Sequence, residues 1–185
     1  MVSLTLEQEK SLREYIQKSS LEDAVKTIYS TRKPRELTGK DGIIMRIFGE
    51  DFEGPQKYQS MYFDRRRNEK VLTEFAEFME AVQIYDTNPS QENKAELLLE
   101  AADFLFQKEV VRMRHANHPL YNKSLSQMSR AFDYVIEQLN SRGVSANVAY
   151  NAAIIKYGAR AWLGVHGMTA KDKDLERNLL LEQIQ

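Results

Sequence analysis

The residues best able to do chemistry in this chain are four acids in two matching pairs. Glu74 and Glu77 form the first pair and, after 22 intervening residues, Glu100 and Asp103 form the second. A spacing of three places both carboxylates of a pair on one face of a helix. The surroundings of each pair are apolar. Val71, Leu72, Phe75, Ala76, Phe78, Met79, Ala81, Val82 and Ile84 flank the first, and the face of Glu74 and Glu77 continues into Ala81 and Ile84. Leu97, Leu98, Leu99, Ala101, Ala102, Phe104, Leu105, Phe106, Val110 and Val111 flank the second, where Glu96 and Gln107 share the acidic stripe. A helix that is hydrophobic nearly all round is expected to be buried. Four carboxylates on two such helices repel one another, and each buried anion costs several kcal/mol unless it is paired. Either cations neutralise them or their pKa values rise until they hold protons.

Lys70 lies one turn before Glu74 and supplies one positive charge, whereas Arg65 to Arg67 read most simply as a solvated basic turn. One lysine does not balance four acids. An all-oxygen set suits a hard divalent cation, above all Mg2+, which combines a few carboxylates with waters and substrate phosphates, with Mn2+ as an alternative. The chain has no cysteine, which excludes a disulfide scaffold, a Cys zinc site and a Cys nucleophile. His115 and His118 form a His-x-x-His rather than the Glu-x-x-His of di-iron bundles, and no His stands beside an Asp. A single Glu-x-x-Glu is common on solvent-facing helices that do no chemistry. The second pair, again set into an apolar helix, is what makes the pattern informative.

The elements that must position these acids follow from composition and periodicity. A chain of 185 residues is one domain's worth of sequence and can hide about two-thirds of its unfolded surface. Lys plus Arg is 26 against 27 for Asp plus Glu, a net charge of -1, which argues against a dedicated nucleic-acid binder. Met1 to Lys18 carries Glu7, Glu9 and Glu14 without a signal-peptide apolar core. No run of about 18 apolar residues predicts a membrane span, so the expected location is the cytoplasm. Only 8 glycines and 4 prolines punctuate the chain, which favours long helices.

An opening helix is expected around Leu4, Leu6, Leu12, Tyr15 and Ile16. Ser20 should cap a second through Ile28, with Glu22 and Asp23 in its first turn and Pro34 stopping it. Residues 33–55 hold Gly39, Gly42, Gly49, Gly54, Pro34 and Pro55 and read as a loop, more simply a connection than a substrate lid. Further helices are expected from Lys57 or Asn68 to Tyr85, from Gln91 (capped by Ser90) to His115, from Ser124 to Ser141, and from Val144 to Leu163. Lys171 to Gln185 is a charged segment with little apolar pattern to anchor it. The fold class is all-α. One domain would span residues 1–185, with a metal-binding core at about 68–163, a helical N-terminal extension at 1–60 and a charged tail at 168–185.

Glu74-x-x-Glu77 followed by Glu100-x-x-Asp103 resembles the paired motif of the all-α nucleoside triphosphate pyrophosphohydrolase superfamily. The segment TEFAEFMEAV (73–82) is similar to the first metal helix of MazG-like proteins, and LLEAADFLF (98–106) to the second. The resemblance covers about Lys70 to Val111 and, less closely, Gly143 to Trp162. It implies a helical bundle, assembled as a homodimer or homotetramer, with Mg2+ held by Glu74, Glu77, Glu100 and Asp103. The implied reaction splits a ribo- or deoxyribonucleoside triphosphate between its α- and β-phosphates, giving monophosphate and pyrophosphate. Lys70 falls where relatives often carry a phosphate-binding lysine, and Asn151, Lys156 and Arg160 resemble residues that relatives turn towards substrate. Thr73 and Leu99 stand where relatives often have a further acid. Phosphoribosyl-ATP or dUTP hydrolysis on the same fold is the alternative within the enzyme class. A non-catalytic helical protein that binds metal for stability or assembly is the alternative outside it.

In this reading Glu77 serves as base as well as ligand. Lys70, Lys156 and Arg160 absorb charge on the departing pyrophosphate, although for Lys70 a plain ion pair with Glu74 fits as well. The substrate is a small nucleotide, and neither a nucleic-acid polymer nor a membrane is expected as a partner. Trp162 and the aromatic residues Phe75, Phe78, Phe104 and Phe106 read as packing, and His166 is given no role.

Overall fold

The computed structural model describes residues 2–31, 73–114, 121–169 and 171–184. Lys70, Arg65 to Arg67, His115, His118 and the loop expected at 33–55 lie outside them. The described residues form seven helices and no strand. These are α1 (Leu6–Lys18), α2 (Leu21–Thr31), α3 (73–87), α4 (Gln91–Arg114), α5 (Tyr121–Asn140), α6 (Ala146–Val165) and α7 (Lys173–Ile184). None of these is long and apolar enough to cross a membrane.

Short polar side chains set most of the starts. Thr5 and Gln8 form a reciprocal capping box on α1, with Gln8 N–H on Thr5 Oγ1 at 3.2 Å and Thr5 N–H on Gln8 Oε1 at 2.9 Å. Ser20 accepts from Asp23 N–H at 3.1 Å and opens α2. Ser90 does the same for Asn93 at 3.1 Å at the start of α4, and Asp172 for Leu175 at 3.1 Å at the start of α7. Ser145 caps α6, so that helix begins at Ala146 rather than Val144 and runs past Gly164 to Val165. The helix expected from Ser124 starts three residues earlier, at Tyr121. Between α5 and α6 the chain turns on Gly143, whose φ of 73° suits glycine, and Val144 N–H reaches back to Leu139 O at 3.0 Å.

Helix α6 is the centre of the molecule and packs against α1, α2, α4, α5 and α7. Its sequence explains why. Ala149, Ala152, Ala153, Gly158, Ala159 and Ala161 are all buried, and such small residues let neighbouring helices approach on several sides. Helix α4 lies alongside and meets the expectation of burial nearly all round, with Ala95, Leu97, Leu98, Ala101, Ala102 and Val110 fully enclosed. Helix α3 does not. It buries Phe78, Ala81 and Val82, but Ala76, Glu77, Glu80, Gln83 and Ile84 face outwards. Its aromatic residues dock it: Phe75 and Phe78 meet the edge of Phe104 of α4, with centroids 6.1 and 6.3 Å apart. At its far end Asp86 takes both Nε and Nη2 of Arg142, at 2.7 and 2.6 Å.

The charged C-terminal segment is a docked helix. Leu179 and Leu180 of α7 are buried against α4 and α6, and Arg13 of α1 pairs with Glu182. The apolar residues of α7 are Leu175, the run Leu179 to Leu181 and Ile184, a short pattern set among charged neighbours. Leu180→Ala should therefore lower the unfolding free energy by about 2–5 kcal/mol. Urea denaturation checks this, and a change no larger than a surface substitution gives would mean that α7 adds nothing to the core.

Candidate metal centre

Glu74 and Glu77 from α3 meet Glu100 and Asp103 from α4, and one carboxylate oxygen from each lies within 4.8 Å of the others. Burial grades across the group. Glu74 is buried, Glu100 and Asp103 are half-buried, and Glu77 is exposed, so the cluster opens to solvent at Glu77. Four carboxylate oxygens at this spacing fit a hard divalent cation such as Mg2+ or Mn2+, and the absence of sulfur or imidazole donors disfavours softer metals. Such an ion would add positive charge beside four adjoining acids.

The protein's own counter-charge comes from α6. Lys156 is only 5% exposed, and its Nζ donates to Leu99 O at 2.8 Å and sits 2.8 Å from Asp103 Oδ1. The hydroxyl of Tyr157 donates to the same carboxylate oxygen at 2.5 Å. The ring of Tyr157 stacks on Phe106, with centroids 3.7 Å apart and planes 7° from parallel. The guanidinium of Arg160 lies 5.0 Å from the centroid of that ring. Arg160 is itself forked onto Glu176 of α7, with Nε on Oε1 at 2.6 Å and Nη2 on Oε2 at 2.9 Å. Glu176 is 1% exposed.

These environments separate the acids electrostatically. Burial works against ionising Asp103, but the Lys156 ammonium and the Lys156 and Tyr157 hydrogen bonds outweigh it and hold its carboxyl below the usual range. Glu100 has no such hydrogen bond among the described residues. Burial, with Asp103 and Glu77 adding their repulsion, pushes it up to about 7 against the pull of Lys156 and Lys173. Burial next to Asp103 also raises the Tyr157 hydroxyl well above its ordinary value, so it remains a donor. Arg160 stays charged because its bonds to Glu176 overcome the cost of burial.

The structure brings the four acids and Lys156 together and gives the basic residues partners within the fold. Lys156 points inwards onto Asp103 and Leu99 because α6 packs directly along α4. Arg160 is engaged by Glu176. Asn151 lies on another face of α6 and lines a separate groove of about 600 Å³ between α1, α6 and α7, with Arg13 and Lys94. Trp162 and the phenylalanines Phe78, Phe104 and Phe106 are buried packing residues, and Phe75 is packed against them. His166 stacks on Trp162 at 3.9 Å. Tyr157 and Glu176 are the members that sequence reasoning passes over. The only signal was Tyr157 between Lys156 and Arg160 on an otherwise alanine-rich helix; nothing in sequence links Glu176 to the acids.

A carboxyl held more firmly as the neutral acid in the fold than in the unfolded chain stabilises the fold below its unfolded pKa, and that stabilisation is lost as pH rises through its folded pKa. For Glu100 the window runs from about pH 4.5 to about 7. In EDTA, Glu100→Gln should match wild type near pH 4.5 and exceed it by about 1–2 kcal/mol at pH 8, the full shift being reduced by partial exposure. Chemical denaturation at the two pH values checks this, and an equal difference at both would remove the electrostatic account of Glu100.

Comparison with protein-family models, with curated proteins and with solved structures finds no match to this chain, so the chemistry of the centre follows from its own residues.

Proposed function

We propose that the chain is a Mg2+-dependent nucleoside triphosphate pyrophosphohydrolase, active in the cytoplasm as a homodimer or homotetramer. The observation that supports it is the meeting of four carboxylates from two helices around a partly open site, the donor set that a hard cation carrying a triphosphate needs. The resemblance of 73–82 and 98–106 to the metal helices of MazG-like proteins points the same way.

Glu74, Glu77, Glu100 and Asp103 would hold the metal, which when bound polarises the α-phosphate and acidifies a coordinated water. The remaining work falls to the chain. Glu77, the exposed acid, is placed to accept the proton of the attacking water. Water oxygen bonds to the α-phosphorus while the bond from that phosphorus to the α–β bridging oxygen breaks, and pyrophosphate leaves with the electron pair. Asp103 keeps one orientation because Lys156 and Tyr157 hold Oδ1. Cations for the leaving group in this reading are Lys70 and Lys173, the second being exposed and near enough to Glu100 to lower its pKa.

The test is pyrophosphate release from a panel of ribo- and deoxyribonucleoside triphosphates, in Mg2+ and in EDTA, by wild type and Glu100→Ala. Release should require Mg2+ and fall by about 100-fold or more in the variant, whose fold should persist. Phosphoribosyl-ATP is the next substrate if no triphosphate reacts. Release from none of these by folded protein would overturn the enzyme reading and leave the acids as a binding or assembly feature.

A further inference from the structure

Tyr157 and Glu176 are buried polar residues beside the acidic centre, and their burial needs a reason. Tyr157 is 5% exposed and is confined by the stacked ring of Phe106 and the guanidinium of Arg160. Arg160 is fixed in turn by both oxygens of Glu176, which is more deeply buried than any other acid among the described residues. A buried Arg–Glu pair is weak evidence for stability, because well-packed apolar residues often serve the fold as well or better. Its effect here is geometric. A phenol whose ring is clamped can offer its hydroxyl in only one direction, and that direction ends on Asp103 Oδ1 at 2.5 Å. With Lys156 on the same oxygen, the carboxylate cannot rotate without breaking two charge-assisted bonds. Both contacts fall on Oδ1, so they fix the orientation that Asp103 presents to the acidic cluster.

We infer that Tyr157 is a positioning residue of the acidic centre, which fixes Asp103 for metal binding, and that Glu176 and Arg160 tie its ring to the C-terminal helix. The inference rests on the metal-site reading of the four acids. It makes α7, which contributes no ligand, a part of the centre's support. Partners of this outer kind commonly set metal affinity by about 10–100-fold.

The experiment titrates Mn2+ alone into the full chain and follows the loss of the free-ion paramagnetic resonance signal. Tyr157→Phe removes one hydroxyl and keeps the ring. It should weaken Mn2+ binding by about 10-fold while leaving the thermal midpoint nearly unchanged. Glu176→Gln should weaken it less, in the same direction. The double substitution Arg160→Met with Glu176→Leu removes the pair without stranding a charge, so it should keep the fold and still weaken Mn2+ binding. If pyrophosphate release is present, raising Mn2+ about 10-fold should restore the rate of Tyr157→Phe, which a merely structural lesion would not allow. Mn2+ affinities equal to wild type in folded Tyr157→Phe and in the double variant would overturn the inference, as would a wild type that binds no Mn2+. Because the titration needs no turnover, a wild type that binds Mn2+ without releasing pyrophosphate sinks the hydrolase reading alone, and the weaker binding of Tyr157→Phe still supports the role of Tyr157.

Discussion

Much of this molecule is arranged around one buried ammonium. At 5% exposure Lys156 has given up nearly all its water, and Asp103 and the Leu99 carbonyl take its place. Meeting both partners requires α4 and α6 to lie in close register, and the alanines of α6 allow it. Lys156 is committed to Asp103, and its pull on Glu100 does not offset the cost of that residue's burial. Burial, with Asp103 and Glu77 close by, raises the Glu100 carboxyl despite that pull. The centre thus brings four carboxylates close together, with the Lys156 ammonium bound to one of them. Protonation at low pH and a divalent ion at neutral pH are two chemical ways to relieve repulsion among adjoining carboxylates.

The geometry also spreads the centre over much of the described fold. Its acids come from α3 and α4, its ammonium and phenol from α6, and the brace behind them from α7. No local segment could hold a cation before these helices have packed. An ion held by this centre would therefore be linked to folding, because a ligand that binds only the packed state stabilises all of it.

The parts legible in the sequence were those governed by local rules. The Ser20 and Ser90 caps and the glycine turn at 143 lie where side-chain chemistry and φ preference put them. The approach of the two acidic pairs followed from helical spacing set against apolar surroundings. What was not legible depends on distant partners. A lysine on a helix reads as a surface cation, and only the crossing of α4 and α6 turns Lys156 inwards onto a residue 53 positions earlier. Arg160 is diverted in the same way by Glu176, and Asn151 is carried to another face by the helical rotation between 151 and 156. The outward face of α3 was hidden for a related reason. Ala76 and Ile84 count as apolar in a pattern, yet they remain at the surface of the single chain.

Gly158 gives these contacts a mechanical setting. A Cβ added there would lie 3.4 Å from Cγ1 of Ile16, so α1 and α6 cross with room for a methyl group in ordinary contact. A longer side chain would have to push one of the two helices aside. The residues just before this crossing are Lys156 and Tyr157, whose polar atoms meet Asp103 at 2.8 and 2.5 Å. The crossing therefore acts as a spacer: the thickness of one residue at the α1–α6 contact sets where α6 lies, and with it how closely the phenol and the ammonium reach the acid.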